Sequence, residues 1–512
     1  MFIKALLLFL FFGVTIFIGL YFRKRAKSVN DFVLAGRELG PWLTAFAYGT
    51  MYFSAVVFVG YSGQFGWRFG TAAVWIGLGN AFIGSLLAWV VLGRRTRIMT
   101  NHLKSSTMPE FFGTRYGSTE LKIGAAIIVF IFLIPYTASL YNGLSRLFAM
   151  AFNVPFEYCI IAMGLLTAIY VVAGGYFATA VNDFIQGIIM IGGIIAVIAV
   201  VLNDNGGFTK AIDSLARIND SSVSPGAYTS FFGPDPISLV GVLFLTSLGT
   251  WGLPQMVARF YSIKNEQMIT KGAIISTIFA VVISGGCYFI GSFGRLYADM
   301  DIYNAAGNVV YDAIIPTILS KFPDVMIGIV IVLVLAASIS TLSGLVIASS
   351  STLTLDFLKG HIVKKMDEKK QLLIIRSLVV VFIVISTIIA ITQYKGGITF
   401  IAQLMGVSWG ALAGSFLAPF LYGLYWKRAN KTAVWSCFIF STLFMTLNIL
   451  VKSAFPAILQ SPINAGAFTM LLGLIIVPVV SLLTKAPDRA AVESHFSCYE
   501  QTVSVKVSDD LG

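Results

Sequence analysis

Apolar runs of about twenty residues recur along most of the chain, and short polar stretches separate them. The first, "LLLFLFFGVTIFIGLYF", is closed by "RKRAK". A helix of that length spans a bilayer core of roughly 30 Å and satisfies its own backbone polar groups in lipid. Thirteen such helices are predicted, near 3–22, 41–65, 71–92, 123–145, 157–177, 182–203, 237–258, 272–294, 324–355, 374–394, 398–425, 432–451 and 464–484. The chain therefore reads as a single all-α transmembrane domain over 1–512. The first run is too long for a signal-peptide core and lacks a small-residue cleavage site, so it is expected to stay as a helix.

Charge sets the orientation. An odd number of crossings puts the termini on opposite sides. With the N-terminus outside, 26 of the 35 Lys and Arg residues fall in inner loops and the tail, and 9 fall outside. This is the positive-inside pattern of a cell-membrane protein with a cytoplasmic tail at 485–512. The net charge of +12 is thus loop charge and does not point to nucleic acid. Cys159, Cys287, Cys437 and Cys498 are far apart, and His102, His361 and His495 lie outside the runs, so no metal or nucleophile constellation is visible. The outer loops 204–236 and 299–323 are too short for a catalytic domain. The chain is not expected to be an enzyme, and no segment calls for an obligate protein partner.

Runs 2–6 (41–203) and 7–11 (237–425) are two sets of five. An odd set inserts opposite to its sequel, which gives an inverted repeat, and interrupted helices at matching positions mark transporter sites. Run 2 carries Gly49, Thr50 and Ser54 near its middle. Run 7 carries Gly249, Gly252 and Pro254, and the proline displaces the carbonyl of Thr250. Freed backbone groups at that depth need a cavity or an ion; an ordinary kink is the alternative.

Polar residues within the runs supply candidate chemistry. In "AASISTLSGLVIASSSTLT" (336–354) nine of nineteen residues carry a hydroxyl. Ala337, Ser340, Thr341 and Gly344 share one helix face. A hard cation such as sodium takes several oxygens, and two hydroxyls plus a carbonyl here, with two freed carbonyls of run 2, would supply about five. The alternative is that each hydroxyl bonds the carbonyl four residues back. That alternative is preferred for Ser338, Ser349, Ser350 and Ser351, and both readings stay open for Ser340 and Thr341. Asp183 lies at the inner end of run 6. An acid at that depth suggests function, although a place in the first helical turn, where the dipole suits an anion, explains it equally.

The stretches "GGYFATAVNDFIQG", "WGLPQMVARF", "AASISTLSG" and "VSWGALAGSFLAPFLYGLYWKRAN" resemble the sodium/solute symporter family over essentially all thirteen runs, nearest its proline and pantothenate carriers. The resemblance implies a LeuT-type 5+5 inverted repeat with three added helices. It implies a sodium ion held by backbone carbonyls of Thr50, Phe53 and Ala337 and hydroxyls of Ser340 and Thr341. Asp183 and Ser343 match a second sodium site of some relatives, but Gly344 stands where those have a serine, so one sodium is expected. Solute contacts are implied at Tyr52, Ser54, Tyr136, Thr250, Trp251 and Gln403. Proline carriers have an acid at the position of Tyr52, and a tryptophan and a tyrosine at those of Thr246 and Thr250. Losing all three argues against assuming proline, and "GLPQMVARFYSIKN" looks nearer the pantothenate relatives. The expected function is sodium-coupled import, by alternating access, of a small polar solute bearing a carboxylate. The rival is a transporter-like sensor, which a tail of under thirty residues without a signalling domain disfavours.

Overall fold

Why the hydroxyl-rich run stays in a membrane protein is answered by where its helix lies. The computed structural model describes every residue except 1, 153, 298–301, 304–306, 360–361, 364–365, 396–400 and 501–512. The start of the run at 398–425, His361, part of the loop 299–323 and the end of the tail lie outside the described residues. Helix α1 (Phe2–Tyr21) sits at the periphery, with 22% of its apolar window buried, whereas 83% is buried for the stretch Asp324–Leu358. The hydroxyls of that stretch therefore face protein and not lipid.

Among the described residues there is no β-strand, only three isolated bridges. Ten helices are long and apolar enough to cross a membrane, or eleven if one bent pair counts as a span. Two continuous stretches, Val56–His102 and Glu157–Asp204, hold 47 and 48 residues. At 1.5 Å per residue each would be about 70 Å long, more than twice a bilayer core. Each is interrupted by a glycine in the left-handed region, Gly70 (φ 59) and Gly175 (φ 57). At Gly70 a side chain would also strike the Tyr228 carbonyl, 2.0 Å from the position of its Cβ.

Both expected helix breaks occur, each displaced slightly. Helix α2 (Pro41–Tyr52) stops at Phe53, whose backbone is extended (φ −107, ψ 102). The chain then re-enters a π-helical turn at Val56–Tyr61 and helix α3 (Ser62–Phe69). The break falls at Phe53–Ser54, one turn beyond Gly49 and Thr50, because those two complete the last turn of α2. Helices α6 (Pro236–Gly252) and α7 (Pro254–Ser262) are bent by 48°. Here the hinge is Leu253 (φ −85, ψ 120), the residue that the following proline ring excludes from the helical region. In chain order between these pairs lie α4 (Thr119–Phe152) and α5 (Phe156–Asp204).

Helix α8 (Gln267–Ser292) follows the second broken pair. The loop before the hydroxyl-rich helix folds into a short helix that was not expected, α9 (Tyr311–Ser320). It packs against α3 and α4, and its buried Asp312 accepts from the Ile401 amide at 3.4 Å. The central elements are α10 (Asp324–Thr352), packed on α5, α4 and α2, and α12 (Ile401–Tyr425), packed on α4, α6, α13 (Lys431–Leu450) and α14 (Pro462–Leu483). Helix α11 (Glu368–Lys395) lies outside them against α4, α5 and α10.

Candidate ion and solute site

The break in α2 exposes backbone oxygens, and α10 meets them with hydroxyls. In an unbroken helix the Met51 carbonyl would accept from the Ala55 amide. That amide turns instead to Ser338 Oγ at 3.2 Å, and the Met51 carbonyl accepts from Thr341 Oγ1 at 3.1 Å. Thr341 Oγ1 also lies 3.5 Å from the Thr50 carbonyl and 3.0 Å from the Ala337 carbonyl. Ser340 Oγ donates to Thr50 Oγ1 at 2.8 Å. Thr50, Met51, Ala337, Ser340 and Thr341 thus present a fully buried cluster of oxygens from two helices. Neutral oxygens at these spacings need to spread only slightly to accept a cation with contacts of about 2.4 Å, the range of calcium-like ions. The residues present fit such an ion.

Of the expected ligands, Thr50, Ala337, Ser340 and Thr341 meet in this cluster. Phe53 lies beside it, lining a small cavity with Ser54 and Ala337. The Met51 carbonyl joins the cluster, although the resemblance pointed only to the carbonyls of its neighbours Thr50 and Phe53. Ser338 caps the half-helix after the break, which corrects its assignment to back-bonding or packing. Both roles follow from the exact residue at which α2 stops.

Asp183 is not in a first helical turn. It stands eight residues beyond the break at Gly175, fully buried, and neither carboxylate oxygen receives a hydrogen bond. Capping therefore does not account for it. Its charged neighbour is Arg259 of α7, with Nη2 3.9 Å from Oδ2. Ser343 donates its hydroxyl to the Ser340 carbonyl at 2.7 Å.

The expected solute residues divide into two groups. Tyr52 stacks on Trp409 of α12, with ring centroids 6.0 Å apart at 24°, while Tyr136 of α4 meets the same indole edge-on at 5.9 Å. Ser54 is buried at the break and accepts from the Val56 amide at 3.3 Å. The Tyr52 hydroxyl donates to the Thr246 carbonyl of α6, tying the two broken helices together. Thr250 and Trp251 turn elsewhere. Their side chains donate to the carbonyls of Gly84 and Ile83 at 3.0 Å each. Gln403 is half-buried on α12, and no contact places it in the aromatic cluster. Trp409 was missed, although it stands in the quoted "VSWGALAG". The cavity beside Phe53 and Ser54 is only about 10 Å³, room for about one water.

Two broken helices beside a buried oxygen cluster are the pattern of a transporter site. Comparisons give the same class. The profile of the Sodium:solute symporter family matches residues 32–440. The osmoregulated proline transporter OpuE of Bacillus subtilis (strain 168) is 28% identical over 488 residues, 94% of this chain and 95% of that protein. The sodium/proline symporter of Staphylococcus aureus (strain NCTC 8325 / PS 47) is 27% identical over 509 residues, 97% and 95% of the two chains. Among solved structures, a sodium-coupled sialic acid symporter superposes with a TM-score of 0.73 at 17% identity, covering 96% of this chain and 99% of that one. A nucleobase-cation-symport-1 family transporter in a closed conformation gives 0.54 at 14%, covering 91% and 97%. The chain belongs to the sodium:solute symporter family, and it shares the LeuT-type fold of these neighbours.

Proposed function

We propose that the protein is a sodium-coupled importer of a small polar organic solute, working by alternating access around the break in α2. The observation that carries this reading is the oxygen cluster of Thr50, Met51, Ala337, Ser340 and Thr341. It joins a broken helix to a central unbroken one, so an ion bound there stabilises one arrangement of the two helices. Sodium is the coupling ion the family implies, and the Phe53 carbonyl completes the set when the half-helices separate. The left-handed glycines at Gly70 and Gly175 support dividing the two overlong stretches, which gives thirteen crossings, the repeats 41–203 and 237–425, an outer N-terminus and a cytoplasmic tail in the cell membrane.

The solute would sit among Tyr52, Ser54, Tyr136 and Trp409. These groups offer aromatic faces and a hydroxyl and carry no charge, which suits a neutral or zwitterionic molecule. A carboxylate-bearing solute such as an amino acid fits, and the similarity to proline transporters keeps proline among the solutes to be tried first, beside pantothenate-like acids. Family membership favours a carrier over a sensor.

Uptake into proteoliposomes with an imposed sodium gradient tests the reading. One elementary charge moving through 100 mV contributes roughly 2.3 kcal/mol, and a ten-fold sodium gradient adds about 1.4 kcal/mol. One sodium with a neutral solute then supports roughly 500-fold accumulation. Solutes are first sorted by whether they stabilise the purified protein more in sodium than in potassium. If no solute that binds is accumulated with a sodium gradient, the importer reading fails.

A further inference from the structure

Asp183 is fully buried, and leaving a buried carboxylate ionised without a counter-charge is costly. In this structure the cation comes from the chain itself. Arg259 Nη2 is 3.9 Å from Asp183 Oδ2, and both side chains are at most 2% exposed. The guanidinium is held by other contacts: its carbon lies 4.5 Å above the Tyr176 ring, and Nη2 points at Met51 Sδ at 3.4 Å. Gly344 makes room for this arrangement. A Cβ there would lie 1.6 Å from Met51 Cε and 3.0 Å from Arg259 Nη2. The missing side chain at 344 thus does two things: it withholds an oxygen and it admits the Met51 and Arg259 side chains. Met51 also supplies a carbonyl to the ion cluster, so the guanidinium adjoins that cluster.

We propose that the Arg259 guanidinium is the resident cation for Asp183, occupying the place a second coupling ion would take and holding the carrier at one sodium per cycle. The proposal deepens the sodium-coupled reading and rests on it. Replacing Arg259 by a neutral residue leaves Asp183 without its counter-charge. A narrow cavity of about 40 Å³, lined by Gln255, Arg259, Gly344 and Ser351, reaches the guanidinium that the substitution would remove. The Arg259-neutral carrier should take two sodium ions.

The test counts bound ions in two independent ways on the full-length protein. One is the slope of thermal stability against the logarithm of sodium concentration, which reports ions bound to the folded state. The other is the ratio of sodium to solute flux in proteoliposomes. Wild type and Arg259→Lys should give one ion by both. Arg259→Gln should give two, with sigmoidal sodium activation, and the double variant Asp183→Asn/Arg259→Gln should return to one. Should Arg259→Gln fold poorly, several hundred millimolar sodium, but not potassium, should rescue it during purification; failure of that rescue overturns the proposal. Two ions in wild type, or one in a folded Arg259→Gln, also overturn it while leaving sodium coupling intact. Sodium-independent stability and uptake in wild type would instead remove the sodium-coupled reading itself.

Discussion

Thr341→Ala should weaken sodium activation by a modest and calculable factor. In the described conformation Thr341 Oγ1 lies 3.0 Å from the Ala337 carbonyl and 3.1 Å from that of Met51. The hydroxyl has one hydrogen, so without an ion it is shared between those carbonyls. An ion bound in the proposed cluster would face a lone pair of this hydroxyl, with the hydrogen left on the Ala337 carbonyl. Removing the hydroxyl costs the bound state roughly 1.5–3 kcal/mol, the size of an interaction with a charged group, and costs the ion-free state about 0.5–1.5 kcal/mol. The difference, about 1–1.5 kcal/mol, raises the sodium concentration for half-maximal uptake by roughly five- to ten-fold. Ser340→Ala, which loses the 2.8 Å bond to Thr50 Oγ1, should behave alike. Ser338→Ala is the control on the same helix. It strands the Ala55 amide and should lower stability by about 1–3 kcal/mol without moving the sodium requirement. The assay is solute uptake across a sodium series at constant ionic strength, alongside sodium-dependent thermal stabilisation of each variant. If Ser340→Ala and Thr341→Ala both keep wild-type sodium activation, the ion does not bind at this break.

Trp409→Ala removes the ring that joins Tyr52 and Tyr136; it should raise the KM for solute at least ten-fold while sodium-dependent stabilisation stays as in wild type, and the reverse pattern would move the solute site elsewhere. Gly66→Ala puts a Cβ 2.0 Å from the Gly291 backbone on α8 and should cost about 1–3 kcal/mol or more through overpacking, read as a lower Tm; an unchanged Tm would contradict the close approach of α3 and α8. In the loop 204–236, the hydroxyls of Ser222 and Tyr228, the Ser222 amide and then Arg295 hold the Asp220 carboxyl well below the usual carboxylate range. A depressed pKa stabilises above the ordinary value near 4 and is lost only as pH falls through the lower one, so hydrogen exchange over 220–230 should stay slow from pH 7 to 5 and rise only in stronger acid. Asp220→Asn should show the fast exchange already at pH 7.

The sequence by itself determined the helical membrane class, the run boundaries to within a few residues for most of the chain, and the two interrupted helices. Each of these is a local property: twenty apolar residues can do little in water or lipid except span, and Gly, Ser and Pro interrupt a helix wherever they sit. Ser340 and Thr341 were legible as one face because helical periodicity needs no partner. Whether that face bonds its own backbone or an ion was not legible, because the answer depends on which carbonyls stand opposite. Only the packing of α10 on the end of α2 put Met51 there and turned Ser338 to the Ala55 amide. The same limit explains Asp183. Its place along the chain suggested a helix start, but the helix actually restarts at Gly175, and its counter-charge comes from Arg259, 76 positions away in sequence. Thr250 and Trp251 stand next to a helix break just as Tyr52 does, yet they face neighbouring carbonyls. Side-chain direction at a break is set by the bend and by the opposing helix, and a one-dimensional pattern contains neither.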